Sequence, residues 1–270
     1  NERVFRSQSI SISGRSRDGG KIVIDTTNGS IHNQQPLSSQ SSANGETGPG
    51  GSITLSAGGD IRNEGALNSF SFSRGNAAGA GGDISLTTTA NGNITNLDAI
   101  RSLSLSDGGN AGNGGNISMT AIGSGHIANY GEINAQSLAN GSGTNSGNAR
   151  QAGNIEIQTE LGDIINRPFN AAVDDNSGSF NTRSVSREGE TENGGLISIT
   201  SEGGDIFLNA YINSKSYSIE DIARRGGNII ISTELGSIVG GRVNNTRRTG
   251  IITSSISGEI EDPVGGTDED

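Results

Sequence analysis

Residues 81–88 read GGDISLTT, and six other stretches of the chain repeat this pattern of two small residues followed by alternating apolar positions. The copies begin at Gly19, Gly50, Gly81, Gly114, Ala152, Gly194 and Gly226. The differences between those positions give steps of 31, 31, 33, 38, 42 and 32 residues. Self-similarity at such a period is typical of solenoids, in which each repeat adds one structural unit. The chain is therefore predicted to be one elongated domain.

Each repeat contains three short strand signals. The first is the apolar pair after the glycines, such as Ile84 and Leu86, which period-2 alternation places on one face. The paired glycines are expected to form a turn with positive φ. The second signal is a Gly-x-Ile triplet, eight to ten residues after the second glycine. The third is a run in which apolar residues alternate with serine, as in LNSFSFS, IRSLSLS, INAQSLA and INSKSYS, which begin at Leu67, Ile100, Ile133 and Ile212.

Similar serine-rich runs stand at both ends of the repeat region, SQSISIS over residues 7–13 and IITSSIS over residues 251–257. Three strands per repeat in one register predict an all-β parallel β-helix of about eight coils over residues 1–258. A β-sandwich is the alternative, but sandwiches do not repeat one motif in one register. Loops of variable length are predicted between the third strand and the next glycine pair, hence on one edge, and the longest covers residues 167–193.

Composition limits the classes of partner. The net charge is −11, and residues 259–270 form an acidic tail with six acids and no base. An acidic chain without clusters of basic residues argues against nucleic acid and against an anionic membrane surface. The chain contains no cysteine, so no disulfide or thiolate metal site is expected. It begins with Asn1 rather than methionine, so we expect a processed protein or a part of a longer one.

An asparagine stands two residues after the isoleucine of the second signal in five of the seven repeats: Asn33, Asn63, Asn96, Asn129 and Asn166. These amides either form a binding stripe or bond one another from coil to coil. Buried amides in register can satisfy each other, so we predict a structural asparagine ladder and not a ligand site.

Four acids stand at turn positions, Asp60, Asp83, Asp163 and Asp205, and the other Gly-x-Ile turns carry Ser30, Asn93, His126 and Ser237. Because no continuous acidic row results, the acids are predicted to cap turns, and no metal site is expected. Neither His32 nor His126 has a constellation of serine, cysteine or carboxylate residues nearby in sequence. No catalytic or cofactor-binding residue is therefore assigned, and a polysaccharide-active β-helix enzyme remains the least favoured function.

The stretch LNSFSFSRGNAAGAGGDISLTT (residues 67–88), together with the recurring Gly-x-Ile-x-Asn, resembles the repeat region of filamentous-haemagglutinin-type exoproteins, in particular cyanobacterial-type repeats. The resemblance covers residues 4–257. It implies a right-handed parallel β-helix and the biology of large adhesins exported by two-partner secretion. The secretion domain that precedes such repeats is not found in this chain.

These observations favour a non-catalytic structural protein of an extracellular fibre or sheath at the cell surface. Its expected partner is itself, in a head-to-tail polymer, because both ends of the repeat region are third strands of a coil. Asp262, Asp268, Glu269 and Asp270 are a possible assembly latch, either through calcium or against Arg3, Arg6 or Arg15 of a neighbour. The alternative is an adhesin module that binds carbohydrate or another cell through its loop edge.

Overall fold

The fold is given by a computed structural model, which describes residues 5–141, 146–168, 178–240 and 251–257. Every regular element in these ranges is a β-strand, and all strand pairs are parallel. None of these residues forms a helix that could cross a membrane. The strands belong to three sheets, which we number in the order in which each coil visits them.

Sheet 1 contains the strands after the paired small residues: β2 (Ile22–Thr26), β5 (Ile53–Ala57), β8 (Ile84–Thr88), β11 (Ile117–Ala121), β14 (Ile155–Thr159), β17 (Ile197–Ser201) and β20 (Ile229–Thr233). Sheet 2 contains the strands of the Gly-x-Ile signal: β3 (Ile31–Asn33), β6 (Ile61–Asn63), β9 (Ile94–Asn96), β12 (Ile127–Asn129), β15 (Ile164–Asn166), β18 (Ile206–Leu208) and β21 (Ile238–Gly240). Sheet 3 contains the serine-rich strands: β1 (Phe5–Ser11), β4 (Leu37–Ala43), β7 (Leu67–Ser73), β10 (Ile100–Ser106), β13 (Ile133–Ala139), β16 (Phe180–Ser186), β19 (Ile212–Ser218) and β22 (Ile251–Ile256).

The prediction of a parallel β-solenoid with three strands per coil is confirmed. Each coil visits sheet 1, sheet 2 and sheet 3 in turn, and each strand pairs with its equivalents in the coils before and after it. The 22 strands form seven complete coils of three strands each, plus the single strand β1. The number of complete coils is therefore seven, compared with the expected number of about eight. Seven spacings of about 4.8 Å put β1 and β22 roughly 34 Å apart.

Isoleucine ladders fill the interior. In sheet 1, Ile155 lies directly between Ile117 and Ile197, and all three side chains are buried. The same register stacks the isoleucines of sheet 2, such as Ile94 and Ile127. β-Branched side chains suit this arrangement because their stiff rotamers pack well on a pleated surface.

The interior side of sheet 3 carries serine instead, and the glycine-rich segment that follows each sheet 3 strand packs over it. Ser102 Oγ donates to the carbonyl oxygen of Gly82 at 2.6 Å. Ser214 Oγ makes the same bond to Gly195, also at 2.6 Å.

The expectation of positive φ at the paired glycines is wrong, because the glycines with positive φ among the described residues are Gly14, Gly123 and Gly178. The second position of each pair holds glycine because neighbouring coils approach too closely there for a side chain. A Cβ at Gly115 would lie 2.5 Å from the carbonyl oxygen of Gly82 and 2.3 Å from the hydroxyl of Ser102. The recurring glycine pair therefore indicates close packing between coils and not a turn conformation.

The predicted distribution of loops is wrong in two respects. Residues 167–193, expected to be the longest loop, contain the strand β16, which is buried in sheet 3. Chain length also varies between sheets 2 and 3, where three residues join β3 to β4 but thirteen lie between β15 and β16. Variable segments therefore occur at two corners of the coil and not on one edge. β16 lacked a recognisable pattern because its inward positions after Phe180 are threonine and serine, which do not alternate visibly with polar neighbours.

Candidate functional site

The five predicted asparagines form a continuous ladder inside the solenoid. Each is the last residue of a sheet 2 strand, points inward and is buried. Each side-chain Nδ2 donates to Oδ1 of the asparagine in the next coil, at 2.7 Å from Asn33 to Asn63, 2.7 Å from Asn63 to Asn96, 2.8 Å from Asn96 to Asn129 and 2.9 Å from Asn129 to Asn166.

The second amide proton is used as well in the middle of the ladder. Asn96 Nδ2 donates to the carbonyl oxygen of Asp98 at 2.8 Å, and Asn129 Nδ2 donates to that of Gly131 at 2.9 Å. The ladder ends at Asn166, whose buried Nδ2 has no acceptor, because the next coil presents Leu208 at this position. Because the five amides are buried and bonded from coil to coil, the asparagine ladder presents no exposed amide face to a ligand.

The acids at the Gly-x-Ile turns belong to a second ladder on the outside of the corner. Asp60 Oδ1 accepts the backbone N–H of Asn93 at 2.8 Å. The series continues from Asn93 to His126, from Asp163 to Asp205 and from Asp205 to Ser237, at 2.9, 2.8 and 2.7 Å. Turn capping was predicted for these acids, but each accepts the N–H of the following coil rather than one in its own turn.

Asp83 plays the corresponding part at the glycine pairs. Its Oδ1 accepts the N–H of Asn116 at 2.8 Å, Asn116 accepts that of Asn154 at 3.1 Å, and Asn154 accepts that of Leu196 at 2.9 Å. Side-chain oxygens thus complete the hydrogen bonding between coils where the backbone turns away from a sheet. The carboxylates of the four turn aspartates lie in four different coils, and no group of three or more His, Asp or Glu among the described residues is placed to hold a metal ion.

His126 continues the corner ladder with a ring nitrogen. Its Nδ1 lies 2.8 Å from the backbone nitrogen of Asp163 and accepts its N–H, whereas the Asp163 carboxylate is 3.6 Å from the same atom, too far for a hydrogen bond. An accepting Nδ1 carries no proton, so we expect the Nε2–H tautomer. Imidazole ¹⁵N shifts and long-range ¹H–¹⁵N couplings measure this directly. A neutral Nδ1–H tautomer would contradict this hydrogen bond.

His32 has a partner that sequence proximity did not reveal. Glu64, in the next coil, places Oε2 3.2 Å from His32 Nε2 and Oε1 2.6 Å from Arg62 Nε. Hydrogen bonds from Arg62 and then from His32 hold the pKa of Glu64 below its usual value. His32 and Arg62 lie exposed on the outer surface of sheet 2, and Glu64 directly follows β6.

The proposed latch residues Asp262, Asp268, Glu269 and Asp270 lie outside the described residues, as does Arg3. Of the basic residues suggested as their partners, Arg15 is already bonded to Glu46, with Nη2 and Oε2 2.8 Å apart. Arg6 lies exposed on β1.

The comparisons with known proteins leave the fold and its ladders as the description of this chain. No protein-family description, curated protein or solved structure matches it. The resemblance to filamentous-haemagglutinin-type repeats therefore stays a prediction from residues 67–88 and their copies. What the geometry establishes is a β-solenoid in which the turn aspartates and both histidines bond a neighbouring coil.

Proposed function

We propose that this chain is a non-catalytic structural protein, a β-helical segment of an extracellular fibre or sheath at the cell surface. The asparagine ladder carries the proposal, because it is buried, continuous over five coils and hydrogen-bonded from each coil to the next. The corner ladder supports it in the same way. Such bonds stiffen a rod and leave few free groups for catalysis.

A structural role needs more length than these coils supply, since the solenoid is only roughly 34 Å long. Its sheets can be continued, because β1, β2 and β3 at one end and β20, β21 and β22 at the other pair on one side only within the described residues. Unpaired strand edges of this kind are templates for another strand. Either further coils of the same polypeptide or a second molecule would fit them.

The unequal number of strands in the three sheets changes the expected head-to-tail contact. If β22 of one molecule pairs with β1 of the next, sheet 3 continues without interruption. Within the described residues, sheets 1 and 2 then each lack one strand at the junction, because the described strands begin with β1 of sheet 3. Placing β2 directly on β20 instead would bring β1 into the position of β22. In the unshortened chain, the contact between two molecules is therefore made by sheet 3. In a chain that begins after β1, all three sheets would end at the same coil.

Light scattering at increasing concentration tests this assembly. We expect the 270-residue chain to form species larger than a monomer, with or without calcium. Deleting residues 1–13 should strengthen assembly, because 21 strands make seven whole coils and three sheets can then join across the interface. A strict monomer at high concentration would remove the end-to-end proposal.

An edge-blocking variant provides the control. The N–H of Phe5 bonds Pro36, so residues 5, 7, 9 and 11 face β4 and Gln8 faces the open edge. Gln8→Pro should leave the fold intact while weakening assembly, since proline cannot donate at a strand edge. Equal assembly by Gln8→Pro and the unmodified chain would show that β1 is not the contact.

A further inference from the structure

Sheet 3 carries more basic residues than the other two sheets. The chain contains 29 acidic residues and a net charge of −11, yet none of the eight sheet 3 strands contains an aspartate or glutamate. The same strands carry four basic residues: Arg6, Arg101, Arg183 and Lys215. Because the inward positions are apolar or serine and threonine, these four lie on the outward face.

Between β13 and β19, the outward side chains form three rows parallel to the solenoid axis. The first is a row of amides, Asn134, Asn181 and Asn213; the second is Gln136, Arg183 and Lys215; and the third is Leu138, Val185 and Tyr217. Strand geometry spaces neighbours within a row by about 4.8 Å and the rows by roughly 6.6 Å. The amides of the first row are buried, whereas the two cations and the apolar side chains of the third row are half-buried.

Two polar atoms on this surface are buried and have no partner within the part of the chain that the structure describes. They are Oδ1 of Asn213, whose side chain belongs to a residue only 4% exposed, and Nε of Arg183. Buried polar groups almost always have a hydrogen-bond partner, because an unsatisfied group loses its hydration without compensation. An acceptor and a donor in adjacent rows therefore stand ready for a ligand with both hydroxyl and anionic groups.

The acid nearest to this surface does not neutralise it. Glu132, just before β13, has Oε2 3.4 Å from Nη2 of Arg101 and is thus paired with a different cation. Burial lowers the pKa of Arg183, and the charge of Glu132 opposes that shift. Among the described residues, neither Arg183 nor Lys215 forms an ion pair.

We propose that the outward face of sheet 3 from β13 to β19 binds a carboxylated polysaccharide. The guanidinium of Arg183 and the ammonium of Lys215 would bind sugar carboxylates, which guanidinium groups match in shape as well as charge. Oδ1 of Asn213 would accept a hydrogen bond from a ring hydroxyl, and Leu138, Val185 and Tyr217 would pack against the apolar faces of the sugars. This binding does not depend on the end-to-end assembly proposed above.

Isothermal titration calorimetry of the full chain with soluble polygalacturonate tests the proposal, with neutral dextran as the uncharged comparison. In the double variant Arg183→Gln and Lys215→Gln, we expect affinity to fall by about tenfold or more, since two charge-assisted bonds are lost. The matched control is the double variant Arg15→Gln and Arg62→Gln, which removes the same charge from other faces and should change affinity less than about twofold. Because Arg183 is half-buried, Lys215→Gln alone is measured as well and should weaken binding in the same direction.

Three results would overturn the proposal. The first is no heat of binding with polygalacturonate, and the second is an equal loss of affinity in the two double variants. The third is equally tight binding of dextran sulfate or single-stranded DNA, which would show attraction to any polyanion rather than recognition of a carboxylated sugar.

Discussion

Replacing Phe180 by alanine is expected to lower the free energy of unfolding by about 3–5 kcal/mol, as for other large-to-small changes at a buried aromatic residue. Phe180 is fully buried and stacks between Ile133 and Ile212 in sheet 3. Its removal opens a cavity that the stacked coils on both sides cannot close without breaking their register. Urea denaturation followed by circular dichroism measures the change.

Phe207 provides the matched control, because it is also a phenylalanine in the middle of the stack but lies half-buried on the outward side of β18. Phe207→Ala should therefore have a clearly smaller effect, on the order of 1 kcal/mol. If Phe180→Ala left the denaturation midpoint unchanged, residues 178–186 would be a surface loop, as the sequence alone suggested, and β16 would be misplaced.

Asn96→Ala is expected to destabilise the protein by about 1–3 kcal/mol, the range for buried polar groups left without a partner. The substitution removes the acceptor of Asn63 Nδ2 and the donor to Asn129 Oδ1, so one break leaves both neighbours unsatisfied. The carbonyl oxygen of Asp98 loses a donor as well. The same denaturation experiment measures the effect.

Two further variants separate the asparagine ladder from general packing. Asn140→Ala changes an exposed asparagine after β13 and should stay within about 0.5 kcal/mol of the unmodified protein. Asn166→Leu replaces the last member of the ladder with the residue that follows it in the next coil, Leu208. It removes the unpaired Nδ2 and leaves only Asn129 without its acceptor, so it should be less harmful than Asn96→Ala. An unchanged midpoint for Asn96→Ala would argue against any contribution of the asparagine ladder to stability.

The period of the repeat was sufficient to predict the fold. The glycine pairs and the alternating isoleucines recur in one register, and a strand in each copy can bury its apolar side only against its equivalents in neighbouring copies. The asparagine ladder was predictable for the same reason, because its members occupy equivalent positions in five repeats. What failed was the account of residues whose pattern is polar on both sides, such as the strand that starts at Phe180.

The contacts that sequence analysis missed all join different coils. The side chain of Glu64 contacts that of His32, 32 residues earlier in the chain. The backbone N–H of Asp163 donates to the ring of His126, 37 residues earlier. The number of residues between equivalent positions changes from coil to coil, so partners cannot be assigned until each insertion is located at its corner. The charge of sheet 3 was equally hidden, because its basic residues are far apart in sequence and come together only when β13, β16 and β19 pair.

Fibre diffraction from concentrated, aligned protein tests most directly the claim that the chain is a rod whose sheets continue across its ends. Strands perpendicular to the long axis predict a meridional reflection at about 4.8 Å from assemblies many times longer than one molecule of roughly 34 Å. Particles that stay at the length of one molecule at every concentration would contradict the claim. So would filaments whose 4.8 Å reflection lies off the meridian, because the solenoids would then associate side by side.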